Sequence, residues 1–216
     1  MKCRVPMLLG FVLAVASYSL GVAAQGLKPV KLPPPQTGGG RPLMQVLNER
    51  KSTREFGPGT LSPQTLSNLL WAAFGINRPD GRRTAPSAMN WQEVDVYVVT
   101  PEGVYLYEAE ANTLEPVLSG DFRAATGTQS FVKDAAVNLV YVADFSKIGA
   151  QASPDAETYT AADVGFIAQN VYLYCASEGL VTVVRASIDK AALAKTLNLR
   201  PNQKIILAQS LGYPRK

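Results

Sequence analysis

Thr160-Ala161-Ala162-Asp163-Val164-Gly165-Phe166-Ile167-Ala168-Gln169-Asn170-Val171-Tyr172-Leu173-Tyr174-Cys175-Ala176-Ser177-Glu178-Gly179 is the longest helical pattern in the chain, and the fold is read from it. Val164, Ile167, Ala168, Val171, Tyr172 and Cys175 recur three and four residues apart, giving a broad apolar face that ends at Gly179. The pattern is apolar over much of its circumference. Such a helix belongs either at the centre of the core or against a second subunit. Before it, Asp144 to Glu157, with Gly149 and Pro154, reads as a mobile connection, and Val137 to Ala143 as a strand covered on both faces. After it, Val181 to Val184 is extended and apolar, and Arg185-Ala186-Ser187 interrupts it. Asp189 to Leu197 is a short helix, Lys204 to Leu211 a last strand, and Gly212-Tyr213-Pro214 ends the domain.

Upstream, Leu43 to Arg50 carries a first helical period. Leu61-Ser62-Pro63 opens a second helix, with Ser62 as N-cap and Pro63 in the first turn. Leu66, Leu69, Leu70, Ala73 and Phe74 hold its spacing, Trp71 lies among them as a core residue, and Gly75 stops it. Asn77 to Asn90, with Pro79, Gly81 and Pro86, is a loop. Glu93 to Thr100 alternates as a strand, Pro101-Glu102-Gly103 turns it into Val104-Tyr105-Leu106-Tyr107, and Thr113 to Val117 adds a short extended piece. Helices, hairpin, strand, long helix, short helix and strand in that order predict an α+β layer arrangement rather than an alternating doubly wound one. The sequence holds no internal repeat and no glycine-rich GxGxxG or Walker fingerprint.

The ends of the chain read differently. Lys2 and Arg4 precede an apolar run from Met7 to Val22 that closes in Val22-Ala23-Ala24, the form of a secretory signal cleaved near Ala24. The run is short for a membrane span, though an anchor is the alternative. Residues 25–42, with Pro33-Pro34-Pro35 and Gly38-Gly39-Gly40, read as a proline-rich then glycine-rich linker, so the folded domain is expected over 43–216. Lys2 and Arg4 are the only charges in the signal segment, so its removal takes the net charge from +4 to +2. A nearly neutral domain argues against a dedicated nucleic-acid binder. Cleavage also removes Cys3 and leaves Cys175 alone, so no intramolecular disulfide is expected, and Cys175 reads as a core thiol rather than a nucleophile. The absence of histidine excludes Ser-His-Asp and Cys-His catalysis and every His-ligated metal site.

Arg50-Lys51-Ser52-Thr53-Arg54-Glu55-Phe56 places three cations and two hydroxyls in five positions, directly after the first helix. Guanidinium forks, an ammonium and short hydroxyl donors are what a phosphate dianion requires. Cations at a helix C-terminus are also favoured as plain solvated charge, and composition alone leaves both readings open.

This run resembles the opening Arg-Arg-Ser-x-Arg-x-Phe motif of the FMN-dependent nitroreductase superfamily. Leu70-Trp71-Ala72-Ala73-Phe74-Gly75-Ile76 followed by Thr84-Ala85-Pro86-Ser87-Ala88 resembles its SagB-type dehydrogenases, which include oxidases of thiazoline and oxazoline rings. Asp163 to Asn170 and on through Glu178-Gly179-Leu180 resembles the family's long central helix, and Leu211-Gly212-Tyr213-Pro214 its last strand. The resemblance runs from about Leu43 to Pro214. It implies a mostly antiparallel central sheet flanked by helices, with the long helix at a homodimer interface where FMN binds.

For the site, the resemblance implies that Arg50, Lys51, Ser52 and Arg54 hold the phosphate and one edge of the ring. Pro86, Ser87, Ala88, Met89 and Asn90 would border the flavin, with Asn90 and Gln92 as donors, and Met89 stands where glycine is common. After the long helix, the backbone around Val184 would face flavin N5, with Val181 and Ala186 at positions where glycines are frequent. Arg185 would face the phosphate or the flavin O2, unless it is a surface arginine, and Arg215 would stand in for the basic residues of a longer C-terminal arm. The function implied is hydride transfer through FMN to or from a small organic substrate, with an unidentified electron donor and no catalytic acid or base assigned. Export places the protein in the periplasm or outside the cell. Two other readings stay open: a flavin-fold protein without catalysis that serves as a binding or scaffold module of the envelope, and an exported small-ligand binder without flavin.

Overall fold

The computed structural model describes residues 26–149 and 154–216. The expected signal segment, 1–24, lies outside the described residues, as does part of the connection before the long helix.

Seven strands form one sheet: β1 (Val30–Lys31), β2 (Val94–Val99), β3 (Gly103–Glu108), β4 (Thr113–Ser119), β5 (Val137–Asp144), β6 (Val181–Arg185) and β7 (Gln203–Gly212). Their order is β1-β4-β3-β2-β5-β7-β6, and every pairing is antiparallel. The β-branched run in β5 is buried along its whole length because β2 and β7 flank it and both sheet faces are covered. Alternation then sorts the side chains into two layers. On one face Val96, Val98, Leu139 and Tyr141 pack with Leu69, Leu70 and Phe74 of α2 (Pro63–Phe74) and with Val164, Ile167 and Val171 of α3 (Ala156–Ser177). On the other, Tyr97, Val99, Val140, Val142, Ile205 and Ala208 pack with Leu193 of α4 (Lys190–Thr196) and with Leu197 just beyond it. Each fully buried leucine or valine contributes about 1.5–3 kcal/mol. The first helix, α1 (Leu43–Glu49), lies against α3 and buries little except Val46.

Helix ends follow the local chemistry. Ser62 Oγ accepts the Thr65 N–H at 3.0 Å and Pro63 occupies the first turn, as the sequence suggests. Gly75 ends α2 for a different reason from a left-handed cap. Its φ is −75°, and an added Cβ would lie 2.6 Å from the Trp71 Cα of its own helix, so lack of space selects glycine. The long helix begins at Ala156, a turn before the apolar period becomes clear at Thr160.

The proline-rich segment is corrected as a free tether. Val30 and Lys31 pair with Leu114 and Thr113, Leu32 is buried, and the Pro33 carbonyl accepts from Ser67 Oγ at 2.5 Å and Asn112 Nδ2 at 2.9 Å. The Pro34 carbonyl accepts from Gln64 Nε2 at 3.0 Å. Proline lacks only the donor; its carbonyl docks as well as any other.

Candidate functional site

The basic run leaves α1 in extended conformation and closes the β6 edge of the sheet. Ser52 forms a parallel bridge with Thr182, the Thr53 N–H donates to the Thr182 carbonyl at 3.0 Å, and Phe56 bridges Pro214. At the far end the Gly57 N–H reaches the Tyr213 carbonyl at 2.9 Å. An added Cβ at Gly57 would lie 2.6 Å from the Pro214 carbonyl oxygen, so only glycine permits this approach. The approach carries Arg215 next to the basic run.

Tyr172 of α3 organises the side chains. Its hydroxyl accepts the Val184 N–H at 2.9 Å and bonds to Ser52 Oγ at 2.7 Å, while the Arg50 guanidinium sits 5.2 Å above its ring. One phenol thus fixes a cation, a hydroxyl and the backbone of β6. Lys51, Arg54 and Arg215 are exposed, and among the described residues no carboxylate pairs with them or with Arg50. Of these only Lys51 lines the neighbouring cleft of about 430 Å³, together with Thr53, Tyr172, Thr182, Pro214 and the Arg41–Glu49 ion pair. The run fits an anion with several oxygens by its donor set, exposed cations without a carboxylate partner among the described residues and a hydroxyl held at one side by Tyr172. Replacing Tyr172 with phenylalanine keeps the ring beneath Arg50 but leaves the Val184 N–H without its partner. A loss of about 1–2 kcal/mol in urea unfolding is expected.

Val184 enters this site through its backbone, whereas its neighbour does not. Arg185 was expected to reach a flavin or the surface; instead its side chain turns into the core and is 5% exposed. Its Nε donates to Ser210 Oγ at 3.0 Å, Nη1 to the Thr126 carbonyl at 2.6 Å, and Nη2 to Thr126 Oγ1 at 3.1 Å and Asn138 Oδ1 at 2.9 Å. Strand alternation explains the correction. Adjacent residues of β6 face opposite sides: Val184 lies on the side of Tyr172, and Arg185 on the side of Thr126 and Asn138, where it is buried. Burial without a carboxylate lowers its pKa to about 10, which leaves it cationic at neutral pH.

The second candidate element is the loop from Pro86 to Gln92. Pro86 is exposed, and Ala88–Asn90 make one 3₁₀ turn. Met89, Asn90 and Gln92 all take left-handed backbone, with φ of 48°, 56° and 49°. That conformation is the reason glycine suits the Met89 position; the methionine side chain is accommodated by pointing into solvent, 58% exposed. Gln92 is not the free donor expected. Its Oε1 accepts from Arg83 Nε at 2.8 Å, and its Nε2 donates to Gly81 O at 3.2 Å and Asn90 Oδ1 at 3.1 Å. It braces the loop, and the exposed Asn90 keeps its own amide N–H groups for a ligand.

Both elements hang on α3, but at different places. Tyr172 holds the basic run and Asp163 accepts the Ala88 N–H at 2.8 Å. Nine residues separate them, roughly 14 Å along the helix axis, and they bound the buried arc on opposite sides. Among the described residues no hydrogen bond joins the two elements within one chain. Between them α3 exposes Phe166, and α1 exposes Leu43, Met44 and Leu47.

Sequence reasoning missed Tyr172, Asp163 and Glu93 as site residues. Asp163 carried a readable signal, a lone acid on the apolar arc shared by Thr160, Val164 and Ile167, and Tyr172 sat in the same arc as apparent core. Cys175 is buried, and burial pushes its thiol well above the usual range, in keeping with a core thiol. Among the described residues no cluster of acidic or cysteine side chains has metal-binding form, and no helix is long and apolar enough to cross a membrane.

Comparison with known proteins bears on this geometry. Residues 47–213 match the profile of the Nitroreductase family. A Methanocaldococcus jannaschii protein assigned as a nitroreductase is 32% identical over 151 residues, spanning 65% of this chain and 76% of the relative. The crystal structure of a protein assigned as a nitroreductase from Ralstonia eutropha is 42% identical, with a TM-score of 0.83 over 87% of this chain and 90% of that one. A protein of the same assignment from Desulfovibrio desulfuricans, crystallised in complex with FMN, shares the fold at a TM-score of 0.60 and 22% identity, covering 82% of this chain and 89% of that one.

Proposed function

Because the chain belongs to the nitroreductase family, we propose that it is an FMN-dependent oxidoreductase that works as a homodimer. The observation that carries the reading is the group of cations without a carboxylate partner among the described residues, Arg50, Lys51, Arg54 and Arg215, with Arg50 and Ser52 held by Tyr172. Bound FMN supplies hydride transfer at its ring. The chain's own groups bind and orient. Arg50, Arg54 and Ser52 hold the phosphate, with Lys51 and Arg215 adding charge, while Pro86 to Asn90 border the ring and the β6 backbone near Val184 lines its edge.

The exposed apolar residues of α3 and α1 support the homodimer reading. A second copy, docked on the exposed Phe166 face of α3 and the apolar residues of α1, would lay its Ser87–Gln92 loop against the first copy's basic run. Closer assignment to the SagB-type dehydrogenases rests on Leu70–Ile76 and Thr84–Ala88, and we propose it on that resemblance. Export through an N-terminal signal to the periplasm is a proposal from residues 1–24 alone, and it leaves the electron donor to be sought outside the nicotinamide pool. The substrate is a small organic acceptor or donor.

Turnover tests the activity. The FMN-loaded protein, reduced anaerobically with dithionite, is expected to be reoxidised by quinones or nitroarenes with saturation. A bound flavin that no acceptor reoxidises would replace the enzyme with a redox-silent flavin-fold binding module.

A further inference from the structure

Beneath the Ser87–Gln92 loop lie two carboxyl groups that the proposed chemistry does not use. Glu93, at the entry to β2, is 0% exposed, and Asp163 of α3 is 3% exposed. Asp163 Oδ2 accepts the Ala88 N–H at 2.8 Å, and the Ser87 hydroxyl and the Glu93 carboxyl are its polar neighbours. Ser87 Oγ accepts the Gln92 N–H at 2.9 Å and donates to Glu93 Oε2 at 3.2 Å. Among the described residues Glu93 Oε1 has no hydrogen-bond partner, and neither have the buried Trp91 Nε1 and Thr160 Oγ1. The two carboxyls therefore hold the backbone directly at Ala88 and, through the Ser87 hydroxyl, at Gln92, the two ends of the segment in which Met89, Asn90 and Gln92 hold left-handed φ.

We propose that Asp163 and Glu93 are positioning residues: two buried carboxyl groups that, through the Ala88 N–H and the Ser87 hydroxyl, latch the Ser87–Gln92 loop in its left-handed conformation and so shape one wall of the cofactor site. The inference concerns this chain's own loop, and only its consequence for the flavin rests on the reading above. Burial first, and the neighbouring Glu93 carboxyl with it, disfavour charge on Asp163, so Asp163 holds a proton more tightly than a solvated aspartate does. The strain of three left-handed residues, of order 1 kcal/mol each, persists only if its surroundings hold it, and the latch does that.

The surrounding charges are all engaged elsewhere. Arg83 reaches Gln92, Asp144 is held by Ser146 and Arg200, Asp95 pairs with Lys147, and Glu157 with Lys204. Tyr159 stacks edge-on against Trp91. Asp155 lies at the start of α3. The influences on Asp163 itself are burial, the Ala88 N–H, the Glu93 carboxyl and Ser87, and burial is the largest; together they raise its pKa. The sign follows. The latched loop binds a proton more tightly than an open loop, so the latch is strongest below the ordinary aspartate value and weakens as pH rises through the raised one.

Hydrogen exchange of the Ala88 and Gln92 amides in the full chain, corrected for the intrinsic pH dependence of exchange and measured with and without FMN, tests the proposal. In the wild type, protection is expected to fall as pH rises across that window. Asp163→Asn keeps the acceptor for Ala88 and offers Glu93 a donor at every pH. It should retain wild-type protection and FMN affinity within about twofold and lose the pH dependence. Asp163→Ala should lose roughly tenfold in protection at Ala88 and a similar factor in FMN affinity, as expected for one charge-assisted hydrogen bond. Wild-type pH dependence in Asp163→Asn, or unchanged exchange in Asp163→Ala, would overturn the latch; should Asp163→Ala not fold, the Asp163→Asn profile still decides. Failure of the wild type to bind FMN would remove the cofactor reading, while the exchange data still judge the latch.

Discussion

Replacing Arg185 with methionine is expected to lower the unfolding free energy by about 3 kcal/mol, although it removes a buried charge that lacks a carboxylate. Two effects of opposite sign compete. Burial holds the guanidinium pKa at about 10 against an ordinary 12.5, so relief from desolvation is worth roughly 3 kcal/mol. Against this stand hydrogen bonds to three groups, Thr126, Asn138 and Ser210, at about 2 kcal/mol each for a charged donor. The bonds win, because methionine leaves the Thr126 carbonyl buried and bare. Asn138 Oδ1 keeps the Ser210 hydroxyl at 2.5 Å, which is why the net loss is not larger. Urea unfolding followed by circular dichroism reads the difference. Unchanged stability would mean that desolvation of the cation fully offsets its bonds. Since Arg185 ties Thr126 to β5, β6 and β7, its loss should also loosen the edge against which the basic run is laid.

The second large effect concerns binding rather than folding. The double variant Arg50→Ala, Arg54→Ala is expected to fold with near-native stability and to lose roughly a thousandfold in FMN affinity. Each guanidinium on a phosphate is worth about 2 kcal/mol. Only the Arg50 stacking on Tyr172, at about 0.5–1 kcal/mol, is also structural. Binding in the wild type should weaken with added salt, and less so in the variant, because the contacts at issue are exposed charges. Titration of flavin fluorescence measures both. Equal affinity in variant and wild type would reduce the run to a solvated helix end.

Most of the fold was legible because its signals are local. The β-branched run of β5, the alternation of β2, the Ser62 cap and the period of α3 each report a burial pattern that the chain then adopts. What escaped depends on distant partners. β1 is two residues long and exists because β4 offers it an edge, and the proline carbonyls beside it dock on Ser67, Asn112 and Gln64, which nothing nearby in the sequence announces. The site divides in the same way. The cations of Arg50 to Arg54 are readable as a run, and the left-handed loop is hinted at by its glycine-like position at Met89. Whether Arg185 faces in or out turns on one step of strand register, to which composition is blind. Asp163 and Glu93 lie 70 residues apart, so their pairing appears only once α3 is laid across the entry to β2.

The account stands on FMN binding by the wild-type chain. The purified protein, mixed with FMN and dialysed to equilibrium, is expected to retain flavin stoichiometrically with the chain, to quench its fluorescence, and to shift and structure its visible absorption. A colourless protein from which all flavin dialyses away with its fluorescence unaltered would contradict it.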